Sequence, residues 1–158
     1  DEVPDVYEVG CAAVVQRIGA YPDGRFDLTT AGGQRFRVRS LEQDERLYHS
    51  GEVEWLEEPV GKDAAAWAAR VRELFHDYQA RLVGMSRADT QVVPDDPMVL
   101  SYLAAAAMVL DLSDKQRLLA APDTGSRLRL LAGLLRRELA LIGELGALPA
   151  ADFLRGGG

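Results

Sequence analysis

The chain has one cysteine, two histidines and only two lysines among its 158 residues. With Cys11 alone, no internal disulfide can form and no cysteine-based metal cage can be built. The expectation for Cys11 is a small buried apolar residue in a cytosolic setting, since free cysteine packs as a small hydrophobe and disulfide-free chains suit reducing compartments. His49 and His76 stand far apart, with no second ligand close to either in sequence, so no metal site is expected. A signal-peptide pattern is lacking, and so is any run of about 18 uninterrupted apolar residues, which excludes a helical membrane anchor within this sequence. The chain also has no excess of positive charge. Its net charge of −7 argues against non-specific adhesion to nucleic acid or anionic lipid.

What is present is enough apolar residue, 47% of the chain, to build a sizeable core. The first sixty residues carry strand patterning. In "YEVGCAAVV", Tyr7, Val9, Cys11, Ala13 and Val15 fall on one face by alternation. Pro22, Asp23 and Gly24 make a tight hairpin, after which Phe26 and Leu28 are expected to point inward. Gly32 and Gly33 read as a second turn. Phe36 and Val38 then alternate with Arg35, Arg37 and Arg39, and "EVEWLEE" places Val53 and Trp55 among glutamates. The expectation is a four-stranded antiparallel meander with an open edge. Four strands cannot close a barrel, and the sequence begins at "DEVPDVYEV" without a methionine. The β-subdomain is therefore expected to lack an N-terminal portion or to pair with a separate segment.

Beyond Pro59 and Gly61 the period changes to that of a helix. Trp67, Val71, Leu74, Phe75, Tyr78 and Leu82 form one stripe. Asp95 or Asp96 can cap a second helix with Pro97 in its first turn and Leu100, Leu103, Ala104 and Ala107 inward. The stretch "LSDKQRLLAAPDTGSRLRLL" encodes two further helices. Ser113 and Gln116 have capping-box spacing, Pro122 forces a stop, and Asp123 or Thr124 restarts the chain. Both helices are expected to bury leucines against the helix of Trp67. The last is expected to break at Gly143, Gly146 and Pro149. The division is then a β-subdomain over 1–60, a helical bundle over 61–148 and a flexible tail over 149–158, in the α+β class.

The ordered set of Gly10, Asp23-Gly24, Gly33 with Arg35 in "GGQRFRV", Asp96-Pro97, "KQRLL" at 115–119, Arg127-Leu128 and Glu138 resembles the N-terminal substrate-binding domain of Lon-type ATP-dependent proteases, the LON domain. The resemblance implies an antiparallel β pseudo-barrel of PUA-like type followed by a small helical bundle. It also implies binding of unfolded or extended polypeptides, with a separate protease as a further partner by analogy. Lon proteases continue into ATPase and Ser–Lys protease modules. This sequence has neither, and Gly61-Lys62 lacks the remaining residues of a phosphate-binding loop. The pattern after Ile142 reads as a terminus, which favours a stand-alone LON-domain protein over a regulatory fragment of an ATP-dependent protease.

Among candidate sites, Ser113 and Lys115 are two apart and do not face each other on a helix. Glu57-Glu58 and Asp95-Asp96 suit a solvated strand end and a helix cap. Arg35, Arg37 and Arg39 form a ladder that could contact RNA phosphates, the alternative reading for a PUA-like domain. Glu42, Asp44, Glu45, Glu52 and Glu54 surround it, and pairing with Glu52 or Glu54 would neutralise it. Glu138 falls in an apolar stripe and is expected to need Lys115 or Arg127 as partner. Candidate binding residues are Tyr21, Arg35, Arg37 and Trp55. No catalytic residue, cofactor or metal is expected. The oligomeric state and the binding surface stay open.

Overall fold

The computed structural model describes residues 6–42, 48–83 and 93–146. The expectations for Asp44, Glu45, Pro149 and the 149–158 tail lie outside these residues, as does the side chain of Leu82. The order is β1 (Val9–Ala20), β2 (Phe26–Glu42), β3 (Ser50–Trp55), α1 (Ala64–Val83), α2 (Pro97–Ala107), α3 (Leu112–Leu119) and α4 (Thr124–Gly146), an α+β arrangement. The chain divides into two compact units. One comprises Asp1–Glu58 with Asp111–Ala120, the other Pro59–Leu110 with Ala121–Gly158.

The first unit is a three-stranded antiparallel sheet in the order β1-β2-β3, together with α3. Gly24 takes φ +84° at the β1–β2 hairpin, where its amide donates to the Tyr21 carbonyl at 3.1 Å. The expected second turn does not occur. Gly32 and Gly33 lie inside a single 17-residue β2, at a register shift between Cys11 and Ala13 of the neighbouring strand. Glycine tolerates this irregularity because a bulge needs backbone freedom more than a side chain. Among the described residues, three strands therefore replace the four expected. At the other end of β1, Gly10 faces Phe36, whose ring would lie 2.8 Å from any Cβ added there. The glycine makes room for that ring, and Trp55 meets it edge-on with centroids 5.9 Å apart.

Helix α3 was expected beside α1, yet it packs against β1 in the sheet unit. Its N-cap is Asp111, whose carboxylate accepts from the Asp114 amide at 2.7 Å. Ser113 is not the cap; its hydroxyl donates to Asp111. Gln116, free of the expected capping box, donates through Nε2 to the Val9 carbonyl at 2.8 Å. Leu118 is buried, and the helix ends before Pro122 as the sequence requires.

The second unit is a bundle of α1, α2 and α4. Val71, Leu74, Phe75 and Tyr78 of α1 meet Leu100 and Ala104 of α2 and Leu128, Leu131 and Leu135 of α4 in its core. Each large side chain buried this way contributes about 1.5–3 kcal/mol. Asp96 caps α2 through the Val99 amide with Pro97 in the first turn, but Ala107, expected inward, is exposed because Ser101 takes a core position on the shifted face. Asp123 caps α4 by accepting from the Ser126 amide at 2.7 Å. The amides of Thr124 and Gly125 donate to the carbonyls of Pro59 and Val60, so the incoming chain satisfies the start of this helix. The expected break at Gly143 is absent, since α4 runs through it to Gly146.

Arg127 is fully buried, 4.1 Å from the Tyr102 ring centroid and 3.2 Å from Ser101 Oγ. It does not serve Glu138, which is mostly covered and pairs instead with its half-exposed neighbour Arg137 at 3.0 Å. No helix among the described residues is long and apolar enough to cross a membrane.

Candidate functional site

The outer half of the β1–β2 pair forms a two-stranded arm, because β3 pairs only with the Phe36–Glu42 part of β2. Directly opposed residues of antiparallel strands share a face. The pairs Ala20–Phe26, Ile18–Leu28 and Val15–Thr30 place one set of side chains together, while Gly19–Asp27 and Arg17–Thr29 occupy the reverse side. A β-bulge between Val15 and Arg17 keeps Val15 in the apolar column despite its odd spacing from Ile18. The arm is thus amphipathic. Its apolar face is bare: Phe26 is 65% exposed, Ile18 62%, Leu28 59% and Val15 50%.

Val15, Phe26 and Leu28 were expected inward, and the correction is physical. Alternation specifies which side chains share a face but not that anything covers it. Of the five residues read on the inner face of β1, only Val9 is buried, beside the Gln116 contact that brings α3 to the strand. Cys11 is exposed as well, against expectation, on the uncovered stretch beyond that contact.

The four candidate binding residues do not converge. Tyr21 lies at the hairpin, with Arg25 placed 5.5 Å from its ring centroid and its hydroxyl donating to the Asp27 carboxylate. That hydrogen bond, aided slightly by desolvation, raises the Tyr21 phenol above its usual 10.0. Trp55 pairs with Phe36 ten positions along β2 from Phe26, roughly 30 Å away along the strand. Arg35 is buried. Its Nε donates to Glu58 and its Nη1 to the Leu119 carbonyl, which makes it a structural tie within the sheet unit. Glu58, read as a solvated strand end, is the buried arginine's counter-ion. Arg37 Nε stands 3.0 Å from Glu8, and Arg39 pairs with Glu54. Each rung of the arginine ladder thus faces a carboxylate. The pairing with Glu54 was readable from cross-strand position; the pairings with Glu8 and Glu58 were not.

Ser113 is engaged by Asp111, and among the described residues no three of His, Cys, Asp or Glu group as metal ligands. The arm's apolar face is one cluster of exposed apolar side chains among the described residues.

The model of the ATP-dependent protease La (LON) substrate-binding domain matches residues 1–137. The Lon protease of Escherichia coli K12 is 29% identical over 145 residues, 89% of this chain but 18% of that protein. The Lon protease of Desulfovibrio desulfuricans is 33% identical over 140 residues, 85% of this chain and 16% of that protein. This chain thus spans less than a fifth of those relatives. In structure, it is similar to the N-terminal domain of the Mycobacterium avium complex Lon protease, with a TM-score of 0.68 and 21% identity over 85% of this chain and 74% of that one. The Lon N-terminal domain protein from Xanthomonas campestris gives a TM-score of 0.57 at 19% identity, covering 80% and 68% respectively.

Proposed function

Because the chain belongs to the LON substrate-binding domain family, we propose that it is a polypeptide-recognition module that binds exposed apolar or extended segments and performs no reaction itself. The observation that carries this reading is the uncovered apolar face of the β1–β2 arm. Contiguous exposed apolar surface on a folded domain marks an interaction site, and unfolded polypeptides are the ligands that present apolar side chains to it. A bound segment is delivered to a protease. That enzyme is either a separate partner or a continuation of the same polypeptide, as the small share of each relative covered here allows. The reading places the protein in the cytoplasm.

The test is retention of an unfolded chain. Reduced, carboxymethylated lactalbumin is expected to bind the immobilised 158-residue protein, and native lactalbumin is not. Equal retention of both, or of neither, overturns the reading. The RNA alternative gains no support from the arginine ladder, whose three members all face carboxylates. A filter-binding titration with single-stranded RNA is expected to show no salt-dependent affinity.

A further inference from the structure

Helix α1 turns its apolar stripe into the bundle and carries a different set of side chains outside it. Ala69, Arg72, Glu73 and His76 follow the spacing i, i+3, i+4 and i+7, so one outer face of the helix holds all four. They line an open cleft of about 470 Å³. That volume lies within the range of small-molecule sites.

Two charged groups in the cleft are held in place and still have an atom to spare. Arg72 Nη2 donates to the Pro94 carbonyl at 3.3 Å and stands 3.6 Å from Asp95. Both contacts use the same nitrogen. Nη1 has no hydrogen-bond or ion-pair partner among the described residues, and Nε is shielded from water without one. The Asp95 carboxylate is fully exposed, so solvent screens its pull on the guanidinium. Arg72 is thereby anchored with its charge largely uncancelled. Beside it, Glu73 Oε2 accepts from Arg70 at 2.9 Å, which leaves Oε1 open.

A fixed cationic donor next to a fixed anionic acceptor calls for a ligand with the reverse pair. We propose that this cleft binds a small carboxylate with an N–H group on the adjacent carbon. A free amino acid and the C-terminal residue of a polypeptide share that chemistry. The carboxylate accepts from Arg72 Nη1, the N–H donates to Glu73 Oε1, and the small Ala69 leaves room for the ligand's own side chain. A phosphate dianion fits worse, because Glu73 repels two charges more strongly than one. The site goes beyond the recognition reading and does not involve the arm.

Titration of the isotope-labelled 158-residue protein, followed by the amide chemical shifts of α1, tests this. N-acetylalanine and alanine are expected to shift the amides around Arg72 saturably, while N-acetylalanine amide and inorganic phosphate are not. Arg72→Gln should raise the Kd at least tenfold, the effect of losing one charged hydrogen bond. Glu73→Gln should weaken alanine and admit phosphate. Ala69→Leu should fill the cleft and block both ligands with neither charge altered. Ala69 and Glu73 are exposed, so these two variants keep the fold even if Arg72→Gln does not. Tighter binding of alanine assigns the site to free amino acids, and tighter binding of N-acetylalanine assigns it to chain ends. Absence of saturable shifts overturns the proposal, as does equal binding of the amide or an affinity unmoved by Glu73→Gln and Ala69→Leu. Retention of unfolded lactalbumin is read separately, so either reading can fall without the other.

Discussion

Arg35 and Leu119, 84 positions apart, are joined by one hydrogen bond of 2.6 Å from the guanidinium to the main-chain oxygen. The same guanidinium holds Glu58 through Nε, and with 3% of its surface exposed it cannot exchange these partners for water. Arg35→Ala should therefore destabilise the protein by about 2–4 kcal/mol, because it strands a carboxylate and a carbonyl in a partly buried setting. Arg35→Lys should recover little, since one ammonium cannot reproduce the planar fork. Urea unfolding of both variants checks this.

A backbone prediction comes from Gly61, which has φ +74° and lies against the Asp123 side chain that caps α4. An alanine there would be strained by its conformation and would push the cap aside. Gly61→Ala should cost about 2 kcal/mol, and Asp123→Ala about 1 kcal/mol through the lost cap alone. If the two substitutions combined cost no more than Gly61→Ala by itself, they act through the same contact.

Tyr21 supplies a titration. The Asp27 carboxylate that accepts its hydroxyl raises its pKa in the folded protein. A raised pKa means that the native state holds the proton more tightly. The associated stabilisation is present in full below the unfolded tyrosine value and fades as pH climbs through the folded one. Absorbance at 295 nm should show one of the five tyrosines ionising late, and Asp27→Asn should bring it back toward the others.

Within the bundle, Arg127 has no exposed surface and lies against Tyr102. Arg127→Ala should cost about 3 kcal/mol through lost cation–π contact, lost hydrogen bonds and a cavity. Glu138→Ala, by contrast, removes only a partly exposed pair with the adjacent Arg137 and should cost no more than ~1 kcal/mol. Thermal melts of the two should separate clearly.

On the arm, Phe26→Ser should leave stability within about 0.5 kcal/mol of the parent, because that ring is already in water. The fluorescence of a bound apolar dye such as ANS should drop. A large loss of stability would show that the face is covered in solution.

The helices were largely legible because their signals are local. Asp96 with Pro97, and Pro122 followed by Asp123, fixed boundaries that the structure reproduces. Strand number was not, because the Gly32-Gly33 pair serves a turn or a bulge equally well until its partner strand is known. The arm's amphipathy could be read from alternation, but its exposure could not, since burial depends on what lies opposite. The burial of Arg35 was not legible for a related reason. Its counter-ion follows 23 positions later and its carbonyl partner 84, distances over which sequence spacing carries no geometric information.

The insertion of α3 into the sheet unit sets an order of events at the ribosome. The strands are complete once Glu58 has been made, yet Arg35 and Val9 still lack Leu119 and Gln116. At about 5–20 residues per second, those partners arrive roughly 3–12 s later. During that interval the nascent strands stand with a buried-type arginine held by Glu58 but short of its main-chain partner and an apolar ribbon open, the period in which a chaperone would find the chain most receptive.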